Sequence, residues 1–287
     1  MILKYMIKSK DNYTNLKEFL KIHFQISDRL LIKLKKNKKI FVNNNIASVS
    51  MPLNIGDQIS VYIDFEEDNT NIIPICMPLD IVFEDEALLI INKLAGIPVH
   101  PSINHFEDSL SNGIKFYFDK IGLKKKIRPV NRLDKDTSGL VIFAKNEYVQ
   151  ECLIREMKNK DFVKEYIAIC EGNVKNKTGI INAPIARKEK SIIERCIKST
   201  GEAAITHYKV LKNYENYTLV KCILETGKTH QIRVHMAYIG HPLLRWYLIW
   251  CLITSNITTS ITCIQNNFET SNNQGTNGIC CKYSRRN

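Results

Sequence analysis

The stretch "NRLDKDTSGLVIFAKN", residues 131 to 146, does most to limit the fold. A charged turn leads into "GLVIFAK", a nearly continuous apolar run rich in branched side chains. A short run of that kind, bounded by turn residues, reads as a strand buried on both faces. Such a strand needs cover on two sides, so it belongs inside a sheet of a sizeable domain. Arg132 and Asp134 stand at its mouth. A strand end can present a side chain in a cleft while the strand itself stays rigid. Taken alone, Asp134 reads as readily as a turn residue or helix cap.

The chain has 287 residues, enough for one large domain and one small one. With 44% apolar residues it is a folded protein and not a disordered one. From residue 79 to about 242 the pattern is strand-rich. "LDIVFEDEALLIINKLAG" reads as two strands around an acidic turn, and "DSLSNGIKFYFDKIG" as a helix capped by Asp108. "EYVQECLIREMKNK" reads as a helix and "KEYIAICEG" as a strand. "AAITHYKVLKNYENYTLVKCILETG" gives two more strands joined by a hairpin loop. Many strands with few helices between them predict an α+β class. The larger domain is expected to be a mixed, largely antiparallel sheet with a central cleft.

Residues 13 to 64 form a separate small module, and the polar segment 65 to 78 reads as a linker. Leu16, Phe19, Leu20 and Phe24 fall at helical spacing. A second helix starts after Ser27, its N-cap, with Leu30, Leu31 and Leu34 on one face. Arg29, Lys33, Lys35, Lys36 and Lys38 lie on the other. A strand, a Gly-Asp turn and a closing strand follow. The net charge of the whole chain is +12, and residues 1 to 64 carry 11 of the Lys/Arg against 5 Asp/Glu. A basic surface attracts polyanions through counterion release, nucleic acid first and a membrane surface second. A solvated basic helix face is the plainer alternative.

This module resembles the S-four-type RNA-binding module over residues 13 to 64. The resemblance implies that Arg29, Lys33, Lys35 and Lys36 meet RNA phosphates.

Two further motifs join the first. "FVKEYIAICEG" sets Tyr166 in a strand, where a tyrosine is usually core with its hydroxyl at the edge. "LETGKTHQIRVHMAYIGHPLL" feeds a tight turn into a strand or short helix, with Arg233 among apolar neighbours. A buried arginine needs a partner, because an uncompensated charge is costly.

Together the three motifs closely resemble the RluA-type pseudouridine synthases. That family's pattern is H-R-L-D-x-x-T-S-G-L, then a Lys-x-Tyr strand, then T-G-R-T-H-Q-I-R-x-H and G-H-P-L-x-G-D. Arg132, Leu133, Asp134, Thr137, Ser138, Gly139 and Leu140 are in register, as are Lys164, Tyr166 and Thr226 through His235. Asn131 replaces a usual His and Leu94 a usual Pro.

The resemblance implies an RNA isomerase that converts uridine to pseudouridine, first in large-subunit rRNA and second in tRNA. Asp134 acts on a flipped-out nucleotide by attack on sugar, attack on base, or removal of a sugar proton. Arg233 pairs with Asp134 and holds its pKa low, and Tyr166 stacks on the base and serves in removing the proton from carbon 5. Arg132 contacts phosphate or holds the nucleotide out. No cofactor or metal is implied, and no P-loop or dinucleotide fingerprint is present in the sequence. No DNA partner is expected, and a monomer is assumed.

Nothing at the start resembles a signal peptide and no apolar run spans a membrane, so a cytoplasmic protein is expected. Cys76, Cys152, Cys170, Cys196 and Cys222 read as free core thiols. After residues 79 to 244, the catalytic domain, the family pattern breaks. Residues 245 to 287 turn rich in Asn, Thr, Ser, Ile and Cys. A reading-frame slip accounts for this. With AGA-TGG-TAC-CTT-ATA-TGG for residues 245 to 250, a one-base shift reads Asp-Gly-Thr-Leu-Tyr, close to the family's continuation. The expectation is a domain lacking its last strands, with low stability. The alternative function is then a non-catalytic RNA-binding protein or inactive remnant. A two-carboxylate glycosidase is disfavoured, because only Asp134 sits in a convincing site.

Overall fold

The computed structural model describes residues 1–158, 163–191 and 193–251, with side chains through Leu244. The N-terminal part runs β1 (Ile2–Met6), α1 (Leu16–Ile22), α2 (Asp28–Lys36), β2 (Ile40–Val42), β3 (Asn45–Ile46) and β4 (Gln58–Tyr62). The strands form one antiparallel sheet in the order β1-β4-β2-β3. The sequence reading began this unit at residue 13, yet β1 pairs along the whole of β4. Asn15 caps α1 by accepting from the Glu18 amide at 3.0 Å. Ser27 caps α2 in the same way, from Leu30 at 3.2 Å. Gly56 takes φ +92° in the turn before β4, a conformation that favours glycine.

The larger part begins with β5 (Ile81–Glu84), β6 (Leu88–Lys93), α3 (Leu110–Lys120), β7 (Arg128–Pro129), β8 (Thr137–Ala144) and α4 (Glu147–Glu156). It continues with β9 (Lys164–Glu171), β10 (Thr178–Asn182), β11 (Ile185–Arg187), β12 (Arg195–Ile197), β13 (Ile205–Asn213) and β14 (Tyr217–Leu224). It closes with α5 (Gln231–Tyr238) and β15 (Leu243–Cys251). The main sheet runs β10-β13-β14-β9-β15-β8-β6-β5, with β7 paired to β8. Every pairing in it is antiparallel except β15 with β8. The class is therefore α+β, as the strand-rich pattern predicts.

The acidic turn between β5 and β6 is held by the Asp85 carboxylate, which accepts from the Ala87 and Leu88 amides at 2.7 Å each. The cap of α3 is Ser109 and not the expected Asp108. Ser109 and Asn112 form a reciprocal capping box, while Asp108 lies 2.7 Å from His105. Strand β8 is buried along nearly its whole length, as its unbroken apolar run requires.

Two apolar cores flank the middle of the sheet. One joins the small module to β6, β8, α3 and α4. The other lies under β9, β14 and α5. Tyr166 packs at the margin of both. Strand β15 lies between β8 and β9 and ties the halves together. The sequence reading ended the domain at 244 and expected its last strands to be missing. Seven residues of that tail continue the central strand instead, and the rest of the tail lies outside the described residues.

Of the five cysteines with described side chains, Cys152, Cys170 and Cys222 are buried. Cys76 is exposed and Cys196 half-buried, so these two are not the core thiols expected. Residues 65 to 78 hold no helix or strand, but they are strapped down. Glu67 bonds both Lys33 and Arg128, and Asn69 bonds the backbone at Lys125 and Ile127. No helix among the described residues is long and apolar enough to cross a membrane.

Candidate active site

Asp134 sits in the turn that enters β8, where the Thr137 amide donates to the Asp134 carbonyl at 3.1 Å. Asn131 continues the β7–β8 pairing through its side chain. Its amide group donates to the Leu140 carbonyl and its oxygen accepts from the Ile142 amide. The turn is braced from below by Lys93, at the end of β6. Its ammonium donates to the carbonyls of Leu94, Ile97 and Lys135 at 2.8–2.9 Å. Burial pushes the Lys93 pKa down to about 8, against the pull of Asp136 and Asp134. Sequence reasoning missed this residue, because a Lys at a strand end reads as solvated.

The third motif folds around Gln231. Its side-chain oxygen accepts from Thr226 Oγ1 and the Lys228 amide, and its Nε2 donates to the Ile205 carbonyl and Thr206 Oγ1. All four bonds hold the turn 226–230 against β13. His235 is fully buried, with its ring nitrogens 2.9 Å from Thr206 Oγ1 and the Ala183 carbonyl. It is a core residue, and burial pushes its pKa down. His230 adopts a left-handed backbone, φ 58°, at the entry to α5. Its Nε2 lies 3.9 Å from Asp134 Oδ2.

Asp134, Tyr166, Arg233 and Arg132 line one cavity of about 390 Å³. Lys164, Lys228, His230 and Thr137 share it. Asp134 is the only carboxylate among the lining residues described. The expected Asp134–Arg233 ion pair is not formed among the described residues; the basic side chain within 4 Å of the Asp134 carboxylate is the His230 imidazole. Arg233 Nη2 is buried without a hydrogen-bond partner, and so is Thr137 Oγ1. A buried guanidinium N–H left in this way is a donor ready for an acceptor brought by a ligand. Lys228 is paired to Glu202. Burial lowers the pKa of Lys164. Burial, and then the charge of Asp134, push the Tyr166 phenol well up, so it stays protonated near neutrality.

The four residues named on the basic helix lie elsewhere. Arg29 lines a neighbouring groove, with its side chain 83% exposed, and its Nε lies 3.2 Å from Glu147. Lys33 is half-buried, 2.7 Å from Glu67 and 3.8 Å from Glu147, with its ammonium over the Phe65 ring. Lys35 and Lys36 are exposed. Part of the basic face therefore docks on the larger domain. Among the described residues no cluster of His, Cys, Asp or Glu is placed to hold a metal ion.

A family model described as RNA pseudouridylate synthase matches residues 87–238. The uncharacterized RNA pseudouridine synthase YlyB of Bacillus subtilis is 39% identical over 211 residues, 72% of this chain and 69% of that protein. A second from the same organism, YhcT, is 38% identical over 84% of this chain and 80% of its own length. The ribosomal large subunit pseudouridine synthase D of Blochmanniella floridana is 37% identical over 72% of this chain, and the match spans 66% of that relative. Among solved structures, human RNA pseudouridylate synthase domain containing 1 superposes with a TM-score of 0.51 at 22% identity. It covers 62% of this chain and 80% of its own, a likeness of fold. The matched segment contains Asp134, Tyr166 and Arg233, and on these relationships the chain belongs to the RNA pseudouridylate synthase family.

Proposed function

We propose that the protein isomerises uridine to pseudouridine in structured RNA, with large-subunit ribosomal RNA as the first target and tRNA as the second. The observation that carries this reading is the single cavity shared by Asp134, Tyr166, Arg233 and Arg132, in which Asp134 is the one carboxylate described. The reaction breaks the bond from sugar to N1, turns the base, and joins carbon 5 to the sugar. Carbon 5 loses a proton and N1 gains one, so the mass is unchanged. A base inside a stack is out of reach of a carboxylate in a cleft, so the nucleotide must flip out. Asp134 is the reacting carboxylate. Arg233 offers its unpartnered Nη2 to the bound nucleotide. Tyr166, kept protonated, stacks on the base and donates its hydroxyl. To take the carbon 5 proton it would first have to pass its own on. Arg132, exposed at the rim, keeps the nucleotide out or meets its phosphate.

Residues up to 64 act as an S-four-type RNA-binding module, in which Arg29, Lys33, Lys35 and Lys36 add positive charge. The ribosomal RNA target fits the name of the Blochmanniella relative, a ribosomal large subunit pseudouridine synthase. A cytoplasmic location fits such a target. The test incubates the protein with large-subunit rRNA and tRNA transcripts and reads pseudouridine by carbodiimide labelling. A chain with its reading frame restored after residue 244 runs alongside. Asp134→Asn should abolish product and leave the melting curve in place. Product from Asp134→Asn would refute the assignment. RNA binding without product from either chain would favour the non-catalytic reading.

A further inference from the structure

A second cavity, of about 580 Å³, opens along the seam between α2 and the strand β7. Its lining includes Arg29 from the small module and Lys126, Arg128, Arg132 and His100 from the larger domain. Glu147 is its one carboxylate among the described residues, already engaged by Arg29 and Lys33. Arg128 is likewise engaged, by Glu67. Arg132 and Lys126 are exposed and make no ion pair among the described residues, and Arg29 has most of its guanidinium in solvent. Arg132 also lines the cavity of Asp134, so the two spaces border the same residue.

We propose that this groove holds the phosphodiester backbone of the RNA strand next to the flipped nucleotide, with the small module as one of its walls. This rests on the reading of the protein as an RNA-modifying enzyme. The walls are fixed relative to each other: Ser27 donates to Glu151 at 2.7 Å, Arg29 and Lys33 reach Glu147, and Glu67 joins Lys33 to Arg128. The groove floor is equally firm. The Lys126 carbonyl accepts from Arg128 Nη1, and the next amide donates to Asn69. Cations mounted on such a frame need little ordering on binding. Among the described residues the lining has no aromatic ring other than the imidazole of His100, so it offers little for stacking bases. The groove reads charge and spacing, not sequence. The small module thus shapes the path to the active site and is more than a tethered hook.

The test uses exposed Lys126. Binding of a large-subunit rRNA transcript is measured at several KCl concentrations for wild type, Lys126→Gln, Lys126→Glu and Lys175→Gln. Lys175 lies in the loop before β10, at the far edge of the sheet, and controls for net charge. Lys126→Gln should weaken binding about 3- to 10-fold and lower the salt slope by about 0.7, the share of one single-strand phosphate. Lys126→Glu should weaken it further and raise KM, and Lys175→Gln should match wild type. Affinity and slope unchanged in Lys126→Glu would overturn the proposal, as would equal losses in the Lys126→Gln and Lys175→Gln variants. Wild type that binds the transcript and forms no pseudouridine would overturn the functional reading and leave the groove standing.

Discussion

Lys93→Met isolates the brace beneath the catalytic turn. The Lys93 side chain is 1% exposed, and its three N–H groups meet three carbonyls. Hydrogen bonds to a charged group contribute about 1.5–3 kcal/mol each. The buried ammonium's own desolvation, visible in its lowered pKa, offsets part of that sum. Methionine fills the space and leaves three acceptors without a donor. The expected net loss is about 3 kcal/mol, in the range for breaking a buried charged contact. For a chain of this size that lowers the melting midpoint by about 6–12 °C. The effect on activity should be larger. One of the three carbonyls belongs to Lys135, the neighbour of Asp134, and a displacement of about 1 Å at a reacting group costs about 100-fold in rate.

The same residue carries a pH signature. Its folded pKa, about 8, lies below the ordinary 10.5, so between these values the unfolded chain holds more proton than the folded one. Its contribution to stability therefore rises as pH goes from about 8 to 10.5. Activity should move the other way, because a neutral amine has two N–H donors for three carbonyls. Thermal melts and single-turnover rates across this range test both signs, and both features should vanish in Lys93→Met. A variant that melts within about 2 °C of wild type and turns over at the same rate would refute the argument.

Arg233→Leu should cut pseudouridine formation by about 100-fold or more, the scale for losing a preorganised donor, with little change in melting, since its Nη2 has no partner to lose. A midpoint lowered as far as in Lys93→Met would mean a structural role instead. Glu67→Gln should cost about 1–3 kcal/mol and loosen the small module, read as faster proteolysis at the seam. Burial raises the Glu67 pKa, but Arg128 and Lys33 override it and hold the group below its ordinary value. That stabilisation is present above the ordinary carboxylate pKa and is lost as pH falls through the depressed one, so acid should mimic the variant. Truncation after Pro242 removes β15 and should give aggregated protein, whereas truncation after Cys251 should melt cooperatively.

Much of this was legible in the residues. The apolar run 139–144 announced a central strand, and the polar turn before it carries the half-buried Asp134. Arg132, Asp134, Tyr166 and Arg233 come from three separate motifs and meet in one cavity. Other parts had no local signal. β1 lies before the stretch assigned to the small module and shows its place only once β4 is folded beside it. β7 is two residues long and contains a proline. β10, β11 and β12 lie in a stretch of mixed polarity with weak alternation. The docking of Arg29 and Lys33 on Glu147 and Glu67 joins residues far apart in the chain. No spacing rule could reveal it, so the helix looked like an open basic face.

The placement of β15 bears on how the chain is made. Asp134 is translated with the first half of the sheet, Tyr166 and Arg233 with the second, and the strand that clasps the halves leaves the ribosome after both. Until it arrives, β8 and β9 present bare ladders to solvent, open to wrong partners. The assembly of the described sheet therefore waits on its last described strand, and a pause in translation shortly before residue 243 would prolong its most vulnerable moment.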